Sequence, residues 1–274
     1  MKSPGAVSFS VRLGVFFASL GLFFVLWEVA ALSGGNSLIL AGPIPVLNAL
    51  IALLQNHLPR GTLGIQGADA AILQTLVTIV FGFVLACIVG IPLGLIMGRW
   101  KKAEMLMDPW LSAAYSIPIV VLIPMLYFAI GADLFAEVFV TFLITVPTII
   151  VNTQHGVRYV SNALAEVGKS YGASESQFIA KIILPASLPD IISGMSIGMG
   201  RAILAAVLAE VLMSGNGLGG MMMTFQDVLQ TPYMMAVVLL IASMGIVVLQ
   251  LPKILEHRLS RWRETASLSR EMRR

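Results

Sequence analysis

Residues 166–185 read EVGKSYGASESQFIAKIILP, a polar, charged and amphipathic stretch pressed from both sides by long apolar runs. The surroundings decide how to read it. Of 274 residues, 58% are hydrophobic and only 11% charged, and the mean hydropathy is +0.91. Soluble domains carry about 25% charged residues, so the composition excludes an ordinary soluble domain and indicates an all-α polytopic membrane protein. A helix needs about 20 mostly apolar residues to cross the hydrocarbon core. Six runs qualify, at about 13–32, 71–98, 110–130, 134–153, 188–212 and 233–252. The first resembles a signal peptide in its basic start, but Trp27 and Glu28 stand where a cleavage region would begin, so it reads as a retained span. The third and fourth are separated only by Gly131–Asp133, a turn signal that predicts a helical hairpin.

Positive charge concentrates in the cytoplasmic loops of membrane proteins. With both termini cytoplasmic, 15 of the 17 basic residues fall inside, leaving Arg60 outside and Arg201 within a span. That asymmetry accounts for the pI of 9.2 through membrane anchoring against anionic lipid, and no nucleic-acid site is required. Residues 33–70 become an outer connection, and Val46–Leu54, too short to span, predicts an amphipathic surface helix. The single cysteine, Cys87, excludes an intrachain disulfide, and the isolated His57, His155 and His257 exclude a zinc-type cluster.

Residues 154–187 are then the largest cytoplasmic loop. Val160, Leu164, Val167 and Tyr171 recur at spacings of four, three and four, as on one helix face. Gly172 suits a left-handed cap that ends this helix. Ser174 followed by Gln177 has the spacing of a capping box that opens a second helix. Phe178, Ile179, Ile182 and Ile183 give it an apolar face, and Pro185 is expected to stop it. By composition alone the loop could equally be a surface-lying connector without a partner.

The spacing Glu166, Gly172, Ile182, Leu184-Pro185 resembles the "EAA" signature of ABC importer permeases, E-A-A-x3-G-x9-I-x-L-P. Val167 and Gly168 stand where the signature has alanines, and Ala173 follows its glycine. Residues 82–131, VNTQHGVRYVSNALAE and SGNGLGGMM are similar to the nitrate/sulfonate/taurine-type permeases, and the resemblance covers about 70–255. It implies a single permease domain of the type I importer kind with six spans, multi-pass in a bacterial inner membrane, whose 154–187 loop couples to the ATPase. It further implies a second permease copy, two cytoplasmic ATP-binding subunits that use ATP and Mg, and a periplasmic or lipid-anchored solute-binding protein. The permease itself would bind no cofactor. By the resemblance, the region around Glu166–Gly172 would dock on the ATPase, and Pro185 would pass the motion into the fifth span.

Ionisable groups inside spans are costly and point to function. Arg201 and Glu210 lie nine residues apart in the fifth span, which puts them on opposite faces of a helix. A guanidinium binds oxyanions bidentately. Arg201 is therefore either a contact for an anionic solute or a structural arginine paired with Glu28, Glu137 or a carbonyl end. Glu210 is expected to position the outer gate or a subunit interface, Pro118 to kink a helix around a cavity, and Asn152, Thr153 and Gln154 to line the cytoplasmic exit. The chain has no G-x4-G-K-[ST], H-E-x-x-H or G-x-S-x-G, so it is not expected to hydrolyse ATP itself. A secondary transporter or an integral membrane enzyme are the alternative classes.

Overall fold

The computed structural model describes residues 9–33, 40–57, 67–160, 170 and 172–259, which are helical apart from turns and short connections. Five described helices are long and apolar enough to cross a bilayer, or six if one bent pair counts as a span. The chain divides into two compact units.

The first unit comprises residues 1–69 and 221–240. Helix α1 (Phe9–Ser33) leaves nearly its whole apolar surface exposed, including Phe16, Phe17, Phe23 and Phe24, which suits contact with lipid tails. The Trp27 indole donates to the Ala41 carbonyl at 2.9 Å, fastening α1 to the start of α2 (Pro43–Leu54). Proline is at home in the first helical turn, where its missing N–H costs nothing. Val46, Ala49 and Leu53, spaced by three and four, form the buried stripe of α2.

The second unit, residues 70–220 and 241–274, holds the core. It contains α3 (Ala68–Arg99), α4 (Lys101–Ser116), α5 (Ile119–Ile130) and α6 (Leu134–Arg158). A short α7 (Glu175–Phe178) runs through a wide turn (Ile179–Ile183) into α8 (Leu184–Ala209), which ends in a second wide turn (Glu210–Ser214). Helices α9 (Gly217–Asp227), α10 (Thr231–Val248) and α11 (Gln250–Leu259) complete the described residues.

Helix α6 is the centre. Lipid tails are as apolar as leucine, so helices in a membrane associate through close packing, and small residues permit it. Gly82, Gly90, Gly94 and Gly98 recur along one face of α3 and meet Thr141, Ile149, Thr153 and Val157 of α6. A β-carbon at Gly94 would stand 2.5 Å from the Thr153 β-carbon and 2.7 Å from the Ile150 carbonyl. On the other side of α6, Gly194 and Gly198 of α8 receive Asn152 and Ile149. Ile79, Phe83, Ala86, Ile149, Met199, Ala202, Ala206 and Val248 fill the resulting core.

The predicted hairpin is present: Asp133 caps α6 by accepting the Ala136 N–H at 3.0 Å. The span expected at 110–130 is not straight but broken within its length. Helices α4 and α5 meet at 93°, broken at Ile117 and Pro118. Proline disfavours the helical conformation of the residue before it, and Ile117 is extended, with ψ of 121°.

Candidate functional site

The end of the core that carries residues 172–183 is built by local sequence rules. Ser174 accepts the Gln177 N–H, and Gln177 Oε1 accepts the Ser174 N–H at 3.1 Å, which completes the capping box that opens α7. Gly172 precedes it at φ +65°, the left-handed region that favours glycine. Phe178 and Ile183 are buried with Val157 at the C-terminal end of α6, and Leu95, Ile179 and Ile182 pack around them. Ala173 is half-buried, whereas Gly172 and Lys181 are exposed. Glu166, Val167 and Gly168 lie outside the described residues, as do Leu164 and Tyr171 of the expected first helix.

Pro185 does not stop the second helix. The Leu184 N–H donates to the Ile179 carbonyl, five residues back, so the chain widens for one turn. That turn lets Leu184 and Pro185 open α8, where a missing N–H is tolerated, and helix runs on through Ala209.

A crevice of about 490 Å3 opens between α4 and α6, lined by Glu104, Asp108, Ser112, Tyr115, Gln154 and Arg158 among others. Glu104 pairs with Arg158 across it and with Lys101 at 3.1 Å on its own helix. Of the residues expected at the cytoplasmic exit, only Gln154 lines this crevice. Thr153 packs against Gly94, and Asn152 packs against Gly194 while donating to the Thr148 carbonyl at 2.8 Å. Tyr115 also borders a smaller cavity of about 130 Å3, walled by Ile117, Ile119, Val120, Ile144, Pro147 and Arg201. The Arg201 guanidinium lies 5.4 Å from the Tyr115 ring centre, a cation–π distance. Arg201 is exposed, and no described carboxylate pairs with it. Pro118, at the bend, separates two residues that wall this cavity.

Glu210 is fully buried. Its Oε2 accepts the Gly219 N–H at 2.9 Å, while the Leu218 N–H donates to Thr75 Oγ1 at 2.9 Å. A helix begins with unpaired N–H groups and a positive dipole end. Glu210 and Thr75 therefore serve as caps for α9, supplied from the wide turn after α8 and from α3. The buried Glu137 accepts from Gln74 Nε2 at 3.2 Å and from Thr78 Oγ1 at 3.0 Å. Gln74, Thr75 and Thr78 were not singled out in the sequence. Their one-and-three spacing within an apolar run was the available signal for a shared polar face.

Residues 90–261 match the family model described as the binding-protein-dependent transport system inner membrane component. The chain belongs to this family. The permease is 31% identical over 235 residues to a probable ABC transporter permease of Brucella abortus, covering 86% of this chain and 90% of the relative. It is 29% identical to the bicarbonate transport system permease of Synechococcus elongatus, covering 88% of this chain and 85% of the other. It is 28% identical to the formylaminopyrimidine transport permease of Halalkalibacterium halodurans, covering 89% and 93%. An inward-facing methionine ABC transporter shares the permease's fold, with a TM-score of 0.62, 16% identity and coverage of 69% of this chain and 94% of that one. The permease is thus a multi-pass inner-membrane transport component, all-α, that works in a binding-protein-dependent system.

Proposed function

We propose that the permease imports a small anion, such as a sulfonate, nitrate or an organic carboxylate, delivered by an outer solute-binding protein. Two permease copies and two cytoplasmic ATP-binding subunits complete the transporter, and those subunits hydrolyse the ATP with Mg. The observation that carries the anionic class is Arg201. Its guanidinium stands exposed beside a cavity with an aromatic ring under it and no described carboxylate against it. An unpaired cation at membrane depth is costly, and a visiting oxyanion would satisfy its fork of donors. The relative named for bicarbonate supports this class. The relative named for formylaminopyrimidine favours a second reading, an uncharged heteroaromatic solute that would stack on Tyr115.

The coupling residues are Glu166, Val167, Gly168, Gly172, Ala173, Ile182, Leu184 and Pro185. The unbroken helical path from Glu175 to Met213 supports their role, because it joins the coupling segment to the core along one stretch of chain. Glu166→Lys is expected to release the ATP-binding subunits on purification.

The test of the solute class is hydrolysis by the reconstituted complex with anion-loaded binding protein, comparing Arg201 with Arg201→Ala and Arg201→Lys. Loss in Arg201→Ala, with partial retention in Arg201→Lys, supports the reading. Full activity in both variants overturns it.

A further inference from the structure

Arg99, at the inner end of α3, reaches across to the coupling segment. Its Nε donates to Glu175 Oε1 at 2.9 Å and its Nη2 to Glu175 Oε2 at 3.2 Å, a two-pronged pair. The same guanidinium lies 5.1 Å from the centre of the Phe178 ring, which is buried beneath α7. One side chain thus grips both the exposed edge and the buried anchor of α7. Lysine could not replace it, because the planar fork makes both the bidentate pair and the stack.

On its C-terminal side α7 runs into α8 through the wide turn at Ile179–Ile183. A wide turn is a soft point in a helix, often found where one must give. A pull on α7 alone would open that turn before it moved α8. Beside the apolar seat of Phe178 against Val157 and Leu95, the Arg99 grip adds a directional polar attachment, on the helix whose glycine face is packed hard against α6.

We propose that Arg99 and Glu175 form a positioning brace for coupling, which makes α7 move as one body with α3 and α6, so that ATP-driven displacement reaches the α4–α6 crevice. The proposal rests on the importer reading given above. The ion pair lies at the surface, with the Arg99 side chain half-buried at 32% and Glu175 exposed at 53%, so its loss is expected to cost little folding stability.

The test uses the permease purified with its ATP-binding subunits and reconstituted in liposomes. Cys87, the only native cysteine, is replaced by serine, and Ser112→Cys places a reporter in the crevice. The reaction rate of this thiol with a membrane-impermeant maleimide is compared in the nucleotide-free and the ATP–vanadate-trapped states. With the brace intact the two rates differ about fivefold or more, the lower end of usual coupling factors. In Arg99→Ala, and in the milder Glu175→Gln, the difference collapses while ATP hydrolysis and co-purification persist. The Arg99→Ala/Glu175→Gln double variant is no worse than either single one, as expected for groups acting as a unit. Arg99→Lys does not restore the native difference. A native difference in Arg99→Ala, or losses that multiply in the double variant, overturns the brace. If the intact complex itself shows no nucleotide dependence, the importer reading fails first, and the two failures are thereby distinguished.

Discussion

Replacing Gly94 with alanine adds one methyl group at the tightest point of the α3–α6 seam. The added carbon would stand 2.5 Å from the Thr153 β-carbon, 2.7 Å from the Ile150 carbonyl oxygen and 2.9 Å from Thr153 Cγ2. Two of these neighbours, the β-carbon and the carbonyl, are fixed to the backbone of α6, so no rotamer change relieves them and the helices must separate. Overpacking of this kind costs about 1–3 kcal/mol. Alanine's better helix propensity returns up to about 1 kcal/mol. The net expectation is a destabilisation of about 1–2 kcal/mol, and Gly94→Val adds to it. Gly200 of α8 is the control, since a β-carbon there meets only Leu249 Cδ2, at 3.9 Å. Gly200→Ala should be neutral or stabilising by up to about 1 kcal/mol. Thermal unfolding of the purified permease in detergent, followed by loss of monodisperse protein, measures both. Equal midpoints for Gly94→Ala and Gly200→Ala would refute the seam as the basis of packing.

Gly217 has φ of +67° and lies against the Glu210 carboxylate, so Gly217→Ala combines backbone strain with a clash; a loss of about 1–3 kcal/mol is expected by the same unfolding assay. Glu210→Ala leaves the buried Gly219 N–H without its acceptor and should cost about 1–3 kcal/mol, whereas Glu210→Gln keeps an acceptor and should cost less. Ser174→Ala removes the capping-box acceptor of α7. It should weaken that helix by about 1 kcal/mol, seen as faster amide exchange at residues 175–178 with no change at α3.

The features legible in the sequence were those set by residues close together in the chain. The Ser174–Gln177 box, the Asp133 turn and the buried stripe of α2 each depend on contacts within one helical turn. Apolar length alone located the helices now seen as α1, α3, α6, α8 and α10. It missed the break within 110–130 because hydropathy averages over a window, whereas the 93° bend follows from one backbone setting at Ile117–Pro118. Pro185 misled for a related reason: the turn that accommodates it is made by hydrogen bonds five residues apart, a geometry that no residue type announces. At the site, the sequence flagged Arg201 and Glu210 as unusual but not what meets them. Tyr115 comes from a helix whose direction depends on the bend. The Glu210 partner, Gly219, requires α9 to fold back onto α8. The α3 glycines gain their meaning only from the β-branched residues they face on α6.

On the proposed function, this chain moves its solute only when partner subunits hydrolyse ATP. The most direct test is uptake into liposomes holding the permease with its ATP-binding subunits, ATP inside and binding protein outside, using a panel of bicarbonate, nitrate, ethanesulfonate and formylaminopyrimidine. Accumulation of an anion is expected, and it stops when ATP is omitted and stops again in Arg201→Ala. Uptake driven by a proton or sodium gradient without nucleotide would contradict it.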